Sequence, residues 1–304
     1  MPDPVISIQG LRKSYGDFSA IKGIDLEVGR EEIFGVLGPN GAGKTTTVEI
    51  LEGYLQRDEG QIEVLGVDPS RPTRAWREKI GIVLQGTTLE PTLTVSESLQ
   101  LYAGYFSNPR PVDEVISLVG LEESAGKRAG KLSGGQRRRL DVGIALVGDP
   151  ALLFLDEPTT GFDPSARRHA WEMISGLRDL GKTVLLTTHY LEEAQALADR
   201  VAVMSDGVIV AEDTPENLGG RVNLPTRITF ALPPGVEQTD LPAIGRTVVE
   251  DDPGEGRIAV IETDDAVADL QALTAWAIER DLPLAGLEVK RPSLEDVYLQ
   301  LTEA

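Results

Sequence analysis

The spacing of apolar residues predicts a mixed α/β core at the start of the chain. Alternation of apolar and polar residues at Val5–Ile8 and Ile24–Val28 indicates two early strands. The compact apolar run Ile33–Leu37 ends at Gly38, and a helical period begins near Lys44. Together these segments predict a strand, a glycine-rich turn and a helix.

A helical region is predicted to interrupt this core between about residues 88 and 150. Before it, strands are predicted at Gln61–Leu65 and Ile80–Leu84. Within it, helical periodicity is found at Val95–Phe106, Pro111–Val119 and Gln136–Val147. After it, strands are predicted at Ala151–Leu155, Thr183–Thr187, Val201–Met204 and Val208–Ala211, and helices at Ser165–Leu180 and Leu191–Ala198.

The C-terminal region has a different composition and is predicted to be a second, smaller domain. A short helix is expected to start at Thr214 and to end at Gly219-Gly220. The following segments predict strands at Arg227–Leu232, Arg257–Glu262 and Leu284–Val289, a helix at Ala266–Glu279 and a last helix after Ser293. We therefore predict a domain of residues 1–222 and an α+β domain of residues 223–304 with an accessory or regulatory role.

Composition narrows the functional classes. The 304-residue chain has no cysteine and only two histidines, His169 and His189, which excludes thiol chemistry and makes a histidine-rich metal site unexpected. Its net charge of −20 argues against a nucleic-acid partner, because binding to phosphate backbones requires Lys and Arg. No apolar run is long enough to span a bilayer, and no signal peptide is recognised, so a cytoplasmic protein is expected.

The turn after the third predicted strand matches the phosphate-binding pattern G-x-x-x-x-G-K-[ST]. Glycines allow the backbone N–H groups to point at phosphate oxygens, and the following helix adds its positive N-terminal end. Lys44 is predicted to contact the β- and γ-phosphates of a nucleotide, and the Thr45 hydroxyl to bind Mg²⁺.

Two carboxylates follow the apolar strand near residue 153. Asp156, at the strand end, is predicted to reach the Mg²⁺, and Glu157 to orient or deprotonate the attacking water. Alone, this pair is typical of any strand followed by two solvated acids. The phosphate-binding turn upstream makes the catalytic interpretation the preferred one.

Ser133-Gly134-Gly135 at a predicted helix start provides a second anion site. One nucleotide does not require two such sites from one chain, so this one is predicted to serve the nucleotide of a second subunit. The run Arg137–Arg139 follows; it is interpreted as a helix face paired with acids rather than as a nucleic-acid contact. His169, outside any motif, is interpreted as a surface histidine.

These motifs resemble those of the ABC ATPase family. Gly38–Thr45 resembles its Walker A motif, Leu132–Gln136 is identical to its LSGGQ signature, and Leu153–Glu157 resembles its Walker B motif. The resemblance further implies an adenine-stacking role for Tyr15, the Q-loop glutamine at Gln85, the D-loop aspartate at Asp163 and the switch histidine at His189. Phe162 stands where leucine is usual in the family, and a slight change in dimer packing is expected.

The implied fold is a P-loop NTPase core of the α/β class, with an N-terminal antiparallel β subdomain, an inserted helical subdomain and the small C-terminal α+β domain. The implied catalytic residues are Glu157, His189 and Gln85, and the implied Mg²⁺ ligands are Thr45, Gln85 and Asp156. The ATP-binding residues are expected to be Tyr15, Gly38, Pro39, Asn40, Gly41, Ala42, Gly43, Lys44, Thr45, Thr46, Ser133, Gly134, Gly135, Gln136 and Asp163.

Within the family, segments 51–54, 92–95 and 291–298 are most similar to ATPase subunits of the ABC-2 exporter group, which includes drug-resistance exporters. The resemblance implies a head-to-tail homodimer with Mg-ATP between its subunits, bound to polytopic permease subunits at the inner face of the cell membrane. Three alternatives stay open: an importer subunit, a soluble ABC ATPase of DNA repair or translation, and a regulator that binds ATP without hydrolysing it.

Overall fold

The computed structural model describes residues 3–84, 89–218, 225–252, 256–290 and 298. The chain divides into two compact units, residues 1–215 and 216–304. The predicted domain boundary between residues 222 and 223 lies outside the described residues, as does the helix predicted after Ser293.

In the first unit, the strands are β1 (Ile6–Tyr15), β2 (Phe18–Val28), β3 (Ile33–Leu37), β4 (Glu59–Val64), β5 (Ile80–Val83), β6 (Leu152–Asp156), β7 (Thr183–Thr188), β8 (Arg200–Ser205) and β9 (Val208–Asp213). Its α-helices are α1 (Lys44–Leu51), α2 (Arg74–Arg77), α3 (Val95–Ala103), α4 (Val112–Leu118), α5 (Gly134–Leu146), α6 (Pro164–Asp179) and α7 (Leu191–Leu197). Short 3₁₀ turns lie at Glu122–Ser124 and Ala129–Lys131.

A six-stranded sheet in the order β5-β6-β7-β3-β8-β9 forms the centre of this unit. Strands β5, β6, β7, β3 and β8 are parallel, and β9 is antiparallel to β8. Every residue of β3, β6 and β7 is buried, which explains why these segments are mainly apolar, with Asp156 and three threonines as the polar exceptions. Leu37 pairs with Thr188, and Asp156 pairs with Thr187, so the carboxyl ends of the three strands meet at one edge.

The predicted N-terminal antiparallel subdomain is confirmed as a sheet in the order β2-β1-β4. The predicted inserted helical subdomain is also confirmed, with α3, α4 and α5 packing on one another. Gly143 of α5 allows this close approach, because a Cβ there would lie 3.3 Å from Leu99 of α3 and 3.4 Å from Val115 of α4. Both of these side chains are fully buried.

In the second unit, β10 (Thr226–Ala231), β11 (Arg246–Asp252), β12 (Gly256–Thr263) and β13 (Glu288–Lys290) form an antiparallel sheet in the order β11-β12-β10-β13. The helix α8 (Ala266–Glu279) packs on β10, and a 3₁₀ turn lies at Gln238–Asp240. Its core is built around Phe230, Ile261, Leu273 and Trp276.

Several sequence predictions are wrong in detail. In the short helix predicted from Thr214, residues 215–217 form a turn, Leu218 is in 3₁₀ conformation and residues 219–220 lie outside the described residues. The strand predicted at Leu284–Val289 is reduced to β13, at its end. Strand β11 was not predicted, because its second half is acidic and apolar alternation is absent from it. Helix α2 was also not predicted; it has only four residues, of which only Trp76 is buried.

Candidate nucleotide-binding site

The loop between β3 and α1 is shaped by glycines that no other residue can replace. Gly43 has a φ of 102°, and a Cβ there would lie 2.7 Å from the Ala20 carbonyl oxygen. A Cβ on Gly38 would lie 2.2 Å from the Met204 carbonyl oxygen. The loop therefore packs directly against neighbouring backbone, and α1 begins at Lys44 with its N-terminus at the loop. Such a loop presents backbone N–H groups to phosphate oxygens.

Lys44 is held inside this loop, with only 5% of its surface exposed. Its Nζ donates hydrogen bonds to the carbonyl oxygens of Gly38, at 2.8 Å, and Pro39, at 3.1 Å. Burial lowers the pKa of Lys44, and the nearby Glu157 and Asp156 carboxylates oppose that shift. The ammonium group is thus pre-positioned next to the loop, where a triphosphate would supply the negative charge that its neutral carbonyl partners lack.

The carboxylate of Asp156 lies at the end of β6 and is buried. The Thr187 hydroxyl on β7 donates a hydrogen bond to Asp156 Oδ1 at 2.5 Å. This contact orients the carboxylate at the edge where β3 ends. Carboxylate and hydroxyl oxygens are ligands that Mg²⁺ prefers, so Asp156 together with the exposed Thr45 of α1 forms a donor set that fits this ion. Among the described residues, no cluster of three or more acidic or histidine side chains offers another metal site.

Glu157 adopts a left-handed backbone conformation, with a φ of 44°. Its N–H donates to the carbonyl oxygen of Thr187 at 3.2 Å and to the Thr187 hydroxyl at 3.1 Å. This conformation is unfavourable for a residue with a Cβ and persists only where surrounding contacts impose it. It turns the chain sharply after β6, and the sequence pattern held no signal for it.

The Glu157 side chain is oriented by two neighbours. Glu157 Oε1 lies 3.2 Å from Nδ1 of His189, and the Thr160 hydroxyl donates to Glu157 Oε2 at 3.0 Å. His189 directly follows β7. Two residues that are 32 positions apart in the chain, and were predicted to act together, are therefore in contact.

The Ser133 segment forms one wall of a separate cavity of about 540 Å³. Ser133 caps α5 by a reciprocal arrangement: its hydroxyl accepts from the Gln136 N–H, and the Gln136 side chain accepts from the Ser133 N–H. Across the cavity, Asp163 caps α6 by accepting hydrogen bonds from the N–H groups of Ser165 and Ala166, both at 2.9 Å. The lining residues come from α5, α6 and the turn at residues 161–163.

Sequence reasoning missed one residue of this cavity. His169 is exposed, as predicted for a surface histidine, but it lines the same cavity as Ser133 and Asp163. Its Nδ1 lies 2.8 Å from the Ser165 carbonyl oxygen. It follows Ser165 by four residues and Ala166 by three, so it shares a face of α6 with these two lining residues, and this spacing after the Asp163 cap is the signal that could have identified it.

The remaining predicted site residues are less constrained. Tyr15 ends β1 and is 49% exposed, with Lys13 Nζ 5.7 Å from its ring centre. Gln85 lies outside the described residues.

The prediction that the Arg137–Arg139 run pairs with acids is wrong for two of the three side chains: Arg138 and Arg139 donate hydrogen bonds to main-chain carbonyl oxygens.

The chain is similar in sequence to known ATP-binding proteins, in agreement with the geometry of the nucleotide-binding site. Residues 21–160 match the ABC transporter family, and residues 226–293 match the C-terminal domain of ABC transporter domain-containing proteins. The daunorubicin resistance ATP-binding protein DrrA3 of Streptomyces coeruleorubidus is 38% identical, covering 99% of this chain and 97% of that protein. The linearmycin resistance ATP-binding protein LnrL of Bacillus subtilis is 34% identical, with 98% of each chain covered.

A solved structure supports the same conclusion. A dimeric ATP-binding cassette in a post-hydrolysis state, bound to ADP and phosphate, superposes with a TM-score of 0.61 at 25% identity, covering 69% of this chain and 98% of that one. The chain therefore belongs to the family of ABC transporter ATP-binding subunits, and it is an ATPase of that family. Within the described residues, no helix is both long enough and apolar enough to cross a membrane.

Proposed function

We propose that this protein hydrolyses Mg-ATP in a head-to-tail homodimer and thereby powers an exporter of hydrophobic compounds. The observation that carries the proposal is the contact between Glu157 and His189 at the strand edge that also holds Asp156 and the Lys44 loop. Two resistance ATP-binding proteins that match nearly the whole chain support the exporter assignment. Membrane permease subunits are the proposed partners, at the cytoplasmic face of the membrane.

The proposed chemistry assigns one task to each group. The backbone of Gly38–Gly43 and the Lys44 ammonium bind the β- and γ-phosphates, while Tyr15 supports the adenine. Thr45 and Asp156 are the proposed ligands of Mg²⁺, which would neutralise charge on the phosphates when bound. Glu157 Oε1 or Oε2 accepts a proton from the attacking water, and His189 contacts the γ-phosphate.

The second subunit completes the site in this proposal. Ser133 and Gly135 of one copy bind the γ-phosphate held by Lys44 of the other copy. This arrangement explains why the Ser133 cavity is lined by α5, α6 and the turn at residues 161–163 rather than by the Lys44 loop. Asp163 belongs to this interface. Closure of the dimer is then favoured by the higher affinity of ATP for the closed state.

Steady-state hydrolysis of ATP by the purified protein tests the catalytic part. We expect Glu157→Gln to lower kcat by at least about 100-fold while ATP binding is retained, because the proton acceptor alone is lost. Lys44→Ala is expected to abolish ATP binding. The exposed residues Glu172 and Lys79 supply matched controls, Glu172→Gln and Lys79→Ala, which are expected to retain wild-type turnover. ATP binding without turnover in the wild type, even with permease subunits present, would instead support the regulator alternative.

Transport direction is tested in inverted membrane vesicles that contain the protein and its permease. ATP-dependent accumulation of a hydrophobic fluorescent compound inside the vesicles is the expected result, and vesicles with the Glu157→Gln variant should not accumulate it. Accumulation in right-side-out vesicles loaded with ATP would instead identify an importer subunit.

We propose that residues 223–304 form an accessory domain that assists assembly or regulation. The match of residues 226–293 to a C-terminal domain of ABC transporter proteins supports this assignment. A chain that ends at residue 222 is expected to bind ATP but to co-purify less with permease subunits. Equal recovery of permease with both chains would contradict the assembly role.

A further inference from the structure

Arg138 lies in the second turn of α5, behind the Ser133 segment, and only 8% of its surface is exposed. Its guanidinium donates hydrogen bonds to three main-chain carbonyl oxygens. Nε donates to Pro158 at 3.1 Å, one NH₂ group to Leu84 at 2.5 Å and the other to Asp156 at 3.0 Å. One side chain thus connects α5, the helix that begins within the Leu132–Gln136 signature and is called the signature helix below, to the ends of both β5 and β6.

The three carbonyls have a specific place in the fold. Asp156 and Pro158 directly flank Glu157, and Leu84 directly follows β5 and precedes the predicted Q-loop glutamine, Gln85. The planar guanidinium has donors in a fixed geometry, so it fixes the relative positions of the three oxygens that it binds.

The local charges do not explain Arg138 as a simple ion pair. The carboxylates of Asp141, Asp156 and Glu193 favour the charged form of Arg138 by electrostatic attraction. The hydrogen bonds of its guanidinium, however, go to carbonyl oxygens. Burial lowers the pKa of Arg138, which reflects the unfavourable free energy of keeping a cation away from water. Three hydrogen bonds to main chain next to Glu157 and at the end of β5 offset this cost, and an apolar side chain could not make them. The arrangement is therefore expected to serve the site.

We propose that Arg138 is a positioning residue for ATP hydrolysis, which holds the main chain on both sides of Glu157 and the end of β5 in register with the signature helix. The inference rests on the proposed function. Because Ser133 caps the helix that carries Arg138, a displacement of Ser133 by nucleotide is transmitted to the backbone around Glu157. Arg138 thereby couples the cavity that serves one nucleotide to the catalytic carboxylate that serves the other.

Steady-state kinetics of Arg138→Ala test this role, with Arg137→Ala as the matched control because Arg137 is the preceding residue of the same helix and is exposed. A displacement of Glu157 by about 1 Å is enough to lower the rate about 100-fold. We expect Arg138→Ala to lower kcat by that factor with the KM for ATP changed less than about threefold, and Arg137→Ala to retain wild-type values.

Chemical rescue distinguishes positioning from general stability. Guanidinium chloride at sub-denaturing concentration is expected to restore part of the lost kcat of Arg138→Ala, because the free ion can occupy the vacated position and bind the same carbonyls. The wild type, Arg137→Ala and Glu157→Gln are expected not to be stimulated. If Arg138→Ala is insoluble, Arg138→Lys tests the positioning role in its place. One ammonium group cannot bind three carbonyl oxygens in a fixed geometry, so kcat should fall at least tenfold.

The inference is overturned if the soluble variant keeps kcat within threefold of the wild type, if the defect lies in KM alone, or if guanidinium restores nothing to Arg138→Ala. In each of these cases an active wild type leaves the proposed function intact. Absence of turnover in the wild type overturns the proposed function itself, so the two failures are distinguishable.

Discussion

The two units of the chain differ in the kind of side chain that they bury. In the first unit, the buried charged residues are Lys44, Glu52, Arg138, Asp141, Asp156, Lys182 and Glu193. In the second, the buried residues within 225–252 and 256–290 are apolar except for Thr263. Burial of a charge is unfavourable unless it is compensated, so such groups concentrate where chemistry requires them. The contrast indicates that the first unit carries the catalytic groups, whereas the interior of the second is an apolar core.

The largest expected effect concerns Glu52, which is 5% exposed and whose two carboxylate oxygens have no hydrogen-bond partner in the described structure. Burial, with smaller contributions from Asp156 and Glu49, raises the pKa of Glu52 to about 8. The folded state binds the proton more tightly than the unfolded state, so the contribution of Glu52 to stability is complete below pH 4.5 and is lost as pH rises through 8. Glu52→Gln cannot ionise and should avoid this loss.

We expect Glu52→Gln to be more stable than the wild type above pH 8, by up to about 5 kcal/mol, with a difference that shrinks towards pH 5. Urea unfolding at several pH values measures it. Replacement of Trp276 by phenylalanine in both proteins restricts the fluorescence to Trp76 and Trp171, which lie in the first unit. The exposed Glu63 supplies the control Glu63→Gln. A stability difference that does not vary with pH would contradict the raised pKa.

The next effect tests the apolar core of the second unit. Phe230 is 1% exposed and packs with Ile261 and Leu273, so Phe230→Ala should lower the free energy of unfolding of this unit by about 4 kcal/mol. Hydrogen exchange followed by mass spectrometry should show faster exchange in β10 and β12, at every pH between 5 and 9. A similar increase of exchange in β3 and β6 would show that the two cores are stabilised together, and would contradict the expected difference between the two units.

A smaller pH effect is expected at Asp141 on α5. Burial raises its pKa to about 6, although Arg138 and Arg137 oppose that shift. The sign is the same as for Glu52: the stabilising contribution is present below pH 3.8 and is lost as pH rises through 6. Asp141→Asn should therefore gain up to about 3 kcal/mol above pH 6 in the same unfolding experiment. The exposed Asp179 supplies the control Asp179→Asn, and a gain that is largest at pH 4 would contradict the assignment.

The smallest effect concerns Asp163, which caps α6. Asp163→Ala should lower stability by about 1 kcal/mol, whereas Asp163→Asn should keep the cap, because both side chains accept hydrogen bonds from N–H groups. Thermal unfolding measures this difference. If ATP turnover falls equally in both variants, the charge of Asp163 acts at the dimer interface as well as the cap.

The motifs and the order of elements were readable from the sequence because they depend on local patterns. The segments of β3, β6 and β7 predicted strands, and Gly38–Thr45 predicted a phosphate-binding turn between a strand and a helix. Helix α8 was predicted with its observed bounds. Local signals failed where an element is short or acidic: α2 has four residues and buries only Trp76, and β11 ends in three consecutive carboxylates, so neither segment shows an apolar period.

Tertiary structure alone decided how the site is held. The left-handed conformation of Glu157 depends on Thr187 of a neighbouring strand, and the role of Arg138 depends on carbonyls at the ends of two strands. The sequence around an arginine in a basic run does not indicate which oxygen atoms its side chain will bind, because long-range packing brings those oxygens to it. The sequence therefore determined which groups are present and in which order, whereas the packing of strand ends against α5 determined their geometry and which of their charges are buried.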